Sequence, residues 1–488
     1  MFIKKSLTRI LGVTATIIIV SIIDSDRASY GQVAGDSTLP SMTQVKQLEN
    51  TFEITGGTEV GENLFHSFRE FSIPNGFVVN FVNNNTTVSN VFSRVTGSSV
   101  SEIMGEIRAG GMAPDFNLFL LNPNGIIFGE NASLNLNGSF LATTAKQINF
   151  ADGSQFSAVN SETNNVLTVT APMGVQFGNV AQDIVIQNTA LSVPAGNSLH
   201  LLGGNIELTN STLGNTAPEA FQMGVEKGIS ITLGGIVEPG VINLTIYEGD
   251  ISVSTPDSTL NRSDILLQES STIGISGNQS GDLNIFANSF ALLEDSLLQS
   301  FTFSSGNTAK ITINVDKEVR ISENSRVASA IFSSDGGNGS DIDLQASSLV
   351  LNERGAIISS TFNLGSETLS GGNAGNISVR VADSLTLRQG SLISSVVRDN
   401  TFGKGGEVTV DAQSLSLFGG SQIASFVGRG DPGGQGDGGN LTINVSDQVT
   451  LSGVNPESGF STALLTVTEQ GAVGQAGEID LNTSFLQV

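Results

Sequence analysis

Apolar and polar residues alternate along most of this chain with a period of two. Phe77-Val78-Val79-Asn80-Phe81-Val82, Val166-Leu167-Thr168-Val169 and Ile311-Thr312-Ile313-Asn314-Val315 are typical runs. Each is short, rich in β-branched and aromatic residues, and bounded by Gly, Asn, Asp or Ser, so each predicts a strand between turns. No stretch of 12 or more residues carries a convincing helical stripe. Val100–Arg108 could supply a turn or two of helix. The expected fold class is all-β.

The second half of the chain repeats. Leu283, Ile311, Ile342, Ile377, Val408, Leu441 and Ile479 each open a similar unit, at spacings of 28, 31, 35, 31, 33 and 38 residues. A second apolar pair follows in each unit: Phe290/Leu292, Val319/Ile321, Leu349/Leu351, Leu385/Leu387, Leu415/Leu417 and Val449/Leu451. A third short strand ends at Ser300, Ser329, Ser359, Ser394 and Ser425, and a variable Gly/Ser/Asn loop completes the unit. Three strands and a loop make one coil of a parallel β-helix. One coil cannot bury its apolar face alone, whereas coils stacked about 4.8 Å apart form a continuous core. A propeller competes, but its blades need about 40–50 residues and four antiparallel strands. At about 25–33 residues per coil, the chain would make roughly 14–18 coils and a shaft roughly 65–85 Å long.

Composition narrows the function. Charged residues are 14% of the chain, and the net charge is −25. That balance disfavours a nucleic-acid binder, which needs a basic face. With no cysteine there are no disulfides, thiolate metal sites or Cys nucleophiles. Two histidines, His66 and His200, leave little for a metal centre, and no cofactor is expected.

The N-terminus reads as an address. Lys4, Lys5 and Arg9 precede an apolar stretch from Ile10 to Ile23, and small residues follow at Ala28, Ser29, Gly31 and Ala34. This is the layout of a secretory signal peptide over residues 1–31. The alternative is a membrane anchor, although the stretch is shorter than the roughly 20 residues that span a bilayer. No other segment is apolar enough to span a membrane, so no membrane-spanning segment is expected in the mature chain.

The most distinctive segment is Phe116-Asn-Leu-Phe-Leu-Leu-Asn-Pro-Asn-Gly-Ile-Ile-Phe-Gly129. Asn122-Pro123-Asn124-Gly125 fits a type I turn between two strands. Gly57 to Phe68 and Phe71 precede it. Ile103–Gly110, Ala132–Phe140, Leu141–Ala145 and Phe150-Ala-Asp-Gly153 surround it. In this order the motifs closely resemble the N-terminal two-partner-secretion (TPS) domain of the filamentous haemagglutinin family, with the cyanobacterial members most similar. The resemblance covers residues 36–175 and leaves 176–488 as the β-helix repeat region.

The resemblance implies a right-handed parallel β-helix with an N-terminal TPS-domain cap. It implies a secreted, surface-associated, adhesin-like exoprotein that crosses the periplasm unfolded. The implied partner is a two-partner-secretion barrel transporter in the outer membrane. The family's secretion motif maps onto Asn122, Pro123, Asn124 and Gly125. A second Asn-Pro-Asn-Leu motif of some members is only echoed, at Ile73-Pro74-Asn75-Gly76. Members can be far longer, so the expectation from the resemblance is a small member or a broken gene.

Other candidates have plainer readings. His66 and His200 sit between apolar neighbours and read as structural, and no G-x-S-x-G elbow is present. Asp341 and Asp343 share a strand face but lack an evident acid partner, so a carbohydrate-active enzyme is the lesser reading. A purely structural surface-layer role is a third. Arg429-Gly430-Asp431 lies in a Gly-rich loop and reads as coincidence. Asp431 and Asp437 fall short of the six or more oxygens of a Ca²⁺ site, so no metal is assigned.

Overall fold

A computed structural model describes residues 32–488, apart from 111–115, 160–166, 217–223, 238, 257–259, 305–308, 334–335 and 364–369. The expected signal peptide, 1–31, lies outside the described residues. Every regular element among those described is a strand.

The chain winds through three parallel sheets, as a β-helix requires. The first face is one ladder of thirteen strands, from Asn63–Phe71 to the first part of Ile479–Gln487. All seven predicted opening residues lie on it in unbroken register, from Leu283 opposite Ile311 to Leu441 opposite Ile479. The second apolar position is also in register, from Phe290 opposite Val319 to Leu415 opposite Val449 on the second face. On the third face Ser300, Ser329 and Ser359 align, but the next in line is Ser395, not Ser394. The adjacent serines differ by one position, and side-chain alternation makes only Ser395 share the inward face.

Four expectations need correction. Among the described residues the shaft has thirteen levels, about 58 Å at 4.8 Å per step, rather than 14–18. Two excursions consume the missing length. Both leave at the corner between first and second faces and pair into one antiparallel sheet: Gln147–Phe150, Gln155–Ser157 and Pro172–Gln176 from one, Val241–Tyr247 and Asp250–Val253 from the other. Second, Val100–Arg108 forms no helix. Ile103 and Ile107 are both fully buried at a helical spacing of four, but they belong to two strands, Ser101–Ile103 and Glu106–Gly110, on different faces. Third, Leu167–Val169 is irregular rather than a strand. Fourth, the third-face serine is Ser395, as above.

Two apolar cores result. The long one fills the shaft with stacked Leu, Ile, Val and Phe. The second lies between the outer side of the first face and the antiparallel sheet, and includes Phe65, Phe92, Phe119, Phe150, Phe156 and Phe286. At the N-terminal end, Val33–Gly35 and Thr58–Val60 pair antiparallel with Asn63–Phe71, and the hairpin Thr43–Leu48/Thr51–Gly56 opens the third face.

Glycine columns close the corner where each C-terminal coil returns to the first face. Gly372, Gly403, Gly436 and Gly474 stack there with φ between 129° and 146°. A Cβ on Gly403, Gly436 or Gly474 would lie 1.8 Å from the carbonyl oxygen of the glycine one coil below. Only glycine tolerates both the angle and the approach.

Candidate functional site

The Asn122-Pro123-Asn124-Gly125 corner joins the strand Asn117–Leu121 on the first face to Ile126–Phe128 on the second. The predicted turn is present: Gly125 N donates to the Asn122 carbonyl at 3.2 Å, and Gly125 has φ 112°. Asn122 is fully buried. Its Oδ1 accepts the Asn124 backbone N–H at 3.0 Å and the Asn124 Nδ2 at 2.8 Å. Its Nδ2 donates to the Ser99 carbonyl at 3.0 Å and to Ser101 Oγ at 2.9 Å. Asn124 Nδ2 also reaches the Gly97 carbonyl at 2.8 Å. The two asparagine amides therefore fasten this corner to the corner one coil earlier. In the folded chain Asn122 has no free face to offer a partner, while Pro123 and Asn124 remain half-buried.

A polar cluster ties the start of the described chain to the same coils. Arg94 is fully buried. Its Nε donates to Ser67 Oγ at 2.9 Å, Nη1 to the Ser157 carbonyl at 2.7 Å, and Nη2 to Thr38 Oγ1 at 2.9 Å. The guanidinium lies 4.4 Å from the Phe156 ring centroid. Burial brings its pKa down to about 10, against the opposing pull of the Asp36 carboxylate. For Asp36, burial alone would raise the pKa. Hydrogen bonds from Thr38, Thr96 and Ser67 outweigh it and hold the carboxyl below its usual range.

An asparagine ladder fastens the excursions. Asn63, Asn90 and Asn117 stack in register, with Asn90 Nδ2 on Asn63 Oδ1 at 3.2 Å and Asn117 Nδ2 on Asn90 Oδ1 at 3.1 Å. Asn63 Nδ2 also holds the carbonyls of Thr168 and Thr170, each at 2.9 Å, and Asn117 Nδ2 that of Gly249 at 3.0 Å. Sequence reading missed this ladder. Its signal was present: Asn-Leu-Phe at 63, Asn-Val-Phe at 90 and Asn-Leu-Phe at 117, each 27 residues apart.

The histidines are buried beneath the antiparallel sheet and the N-terminal cap, not on a polar face. His66 Nδ1 lies 3.2 Å from Thr43 Oγ1, and burial lowers its pKa to about 3. His200 Nε2 donates to the Ile251 carbonyl at 2.9 Å, and burial lowers its pKa to about 4, partly offset by that bond and by Asp250. Both imidazoles are buried, and His200 is held on a backbone carbonyl beside Asp250. Asp341 and Asp343 do not cooperate. Asp341 Oδ1 accepts the Asn376 N–H at 2.8 Å, and Asp343 is shared between Lys310 at 2.8 Å and Arg380 at 2.5 Å. Both are rungs between coils on an open face. Arg429 and Asp431 are exposed, and Asp437 Oδ1 accepts the Gln475 N–H at 3.0 Å. Among the described residues no three acidic or imidazole groups gather to hold a metal, and no helix is long and apolar enough to cross a membrane.

Known proteins place this architecture. The crystal structure of the HMW1 secretion domain from Haemophilus influenzae matches with a TM-score of 0.56 at 17% identity, covering 92% of this chain and 100% of that one. At that identity the likeness speaks for the fold. Among curated proteins no relative matches. The family model of the TPS secretion domain matches residues 31–285, more than half of the chain. The match ends beside Phe286, the last first-face residue in the second core. The chain belongs to the TPS secretion domain family and is an exoprotein of two-partner secretion, a route whose partner is a transporter of the outer membrane.

Proposed function

We propose that this protein is a surface-displayed, adhesin-like β-helical exoprotein, and that Asn122, Pro123, Asn124 and Gly125 are read by its barrel transporter before the chain folds. In this reading residues 1–31 are the signal peptide, and the export unit is the stretch around 36–175 together with the excursion that returns at 241–253. Residues beyond it form the display shaft.

The observation that carries the reading is the burial of Asn122. All of its amide hydrogen-bonding capacity is spent inside the protein. A transporter that recognises this side chain meets it only in an unfolded segment. Closure of the corner then withdraws the motif, so folding outside the cell releases the transporter and makes export directional. The outward Ser, Thr and Asn of the shaft suit display, and its carboxylates serve as rungs between coils rather than as acid–base pairs. The reading is therefore non-enzymatic.

The test is secretion through the partner barrel, measured beside refolding of the same variants. Asn122→Ala and Gly125→Val are expected to block surface appearance. Their purified forms should refold with the shaft intact, at a cost of about 1–3 kcal/mol for the strained position 125. Normal secretion of both variants would leave the motif as a structural corner only.

A further inference from the structure

The third face carries a column of buried hydroxyls. Ser300, Ser329, Ser359, Ser395, Ser425 and Thr466 lie in register on successive strands. Each serine stands two residues after a core aliphatic such as Val327, Ile357, Ile393 or Ile423, so all point inward. All five serines are at most 1% exposed. The ends of the column are bonded to protein: Ser300 Oγ to Ser340 Oγ at 2.6 Å, and Thr466 Oγ1 to the Gly477 carbonyl at 2.7 Å. The four between them, Ser329, Ser359, Ser395 and Ser425, have no hydrogen-bond partner in the protein. A buried hydroxyl without a partner is costly, and four in a row form a pattern rather than an accident.

We propose that these four hydroxyls bind a single file of water molecules inside the shaft, one between each successive pair of coils. Hydroxyls one coil apart, about 4.8 Å, cannot bond directly. A water midway reaches both at about 2.8 Å. Glycines lie against the first and the last of the four hydroxyls. A Cβ on Gly339 would sit 3.3 Å from Ser329 Oγ, and one on Gly438 would sit 3.2 Å from Ser425 Oγ. Glycine keeps those places free of side chain. The ligand has to accept from one hydroxyl and donate to the next. Water does both, whereas a cation would leave every O–H unmet. Each of the three coil junctions along this stretch thus encloses a water as well as its apolar pair.

The test is made on the full chain. A high-resolution crystal structure should show three ordered waters, each within hydrogen-bonding distance of two of the four Oγ atoms, unchanged between sodium and potassium buffers. Oxygen-17 relaxation dispersion should count three fewer long-lived waters in the quadruple Ser→Ala variant. The single variant Ser359→Ala, which is the safer to fold, should lose two. Hydroxyls turned onto backbone carbonyls with no density between them would overturn the proposal. So would a folded Ser359→Ala protein with the wild-type water count.

Discussion

One column on the outer side of the first face runs the length of the molecule and changes character along it. In the N-terminal coils it reads Phe65, Phe92, Phe119, Leu141 and His200. From Thr232 it turns polar, through Asn284, Thr312 and Asp343 to Ser378, Thr409, Thr442 and Asp480. The backbone ladder is the same at both ends. What differs is the cover: the antiparallel sheet buries the column at one end, and solvent meets it at the other. Phe65 and Phe92 stack at 5.2 Å and Phe92 and Phe119 at 4.6 Å. First-face strands are therefore buried on both sides in the export unit and on one side in the shaft. The same ladder thus serves a region packed on both sides and one packed on a single side, and the outward column decides which.

The largest expected effect uses two members of the polar half. Ser378 and Thr409 are register neighbours on adjacent parallel strands, about 4.8 Å apart, within disulfide reach. The double cysteine variant should stall completely in export when the bond forms in the periplasm and recover under reducing conditions. Equal passage of oxidised and reduced chains would end the unfolded-export account.

A paired truncation within the column tests the cover itself. Phe92→Ala should destabilise the N-terminal coils by about 3–5 kcal/mol, while Thr312→Ala should change stability by no more than about 0.5 kcal/mol. Denaturant unfolding of each variant decides it. Similar losses at both positions would mean that burial on the outer side contributes nothing.

A gentler probe is pH. Burial holds His66 near 3 and His200 near 4, whereas an unfolded imidazole titrates near 6.5. Below about 6.5 the unfolded state binds protons that the folded state refuses. Stability should then fall with pH, by up to about 1.4 kcal/mol per pH unit for each imidazole, until the folded groups titrate. Both histidines lie in the N-terminal half, so hydrogen exchange at pH 5 should accelerate there before it does in the shaft. His200→Gln should flatten about half of that dependence.

The same column explains which parts of the fold were legible. In the shaft one side of each strand is wet, so strands such as Ile377–Leu387 alternate visibly and their repeat can be aligned by eye. In the export unit Asn90–Val95 is buried at every position, which erases the alternation. There the usable signal was the 27-residue return of Asn and Phe. The antiparallel sheet was hidden for another reason: Gln147–Phe150 makes a local hairpin with Gln155–Ser157, but the pairings that complete the sheet, with Pro172–Gln176 and onward to Val241–Tyr247, join segments far apart in sequence. The turn at Asn122–Gly125 could be read locally from Pro and Gly. Its fastening to Gly97, Ser99 and Ser101 could not, because contacts one coil apart leave no local trace. Nor could Arg94, whose partners at 38, 67 and 157 are far apart in sequence.

The glycine column at 372, 403, 436 and 474 makes the shaft behave like a crystal with a defined lattice plane. A methyl group at one of the upper three positions would collide with the backbone of the coil below rather than with a side chain that can turn aside. The misfit cannot be absorbed within one coil, and the layers on either side have to slip or separate, as they do around a dislocation. Substitution there is therefore penalised across the stack, while whole coils can be gained or lost without disturbing the plane. Such a molecule tolerates changes in length more easily than changes of one atom in its seam.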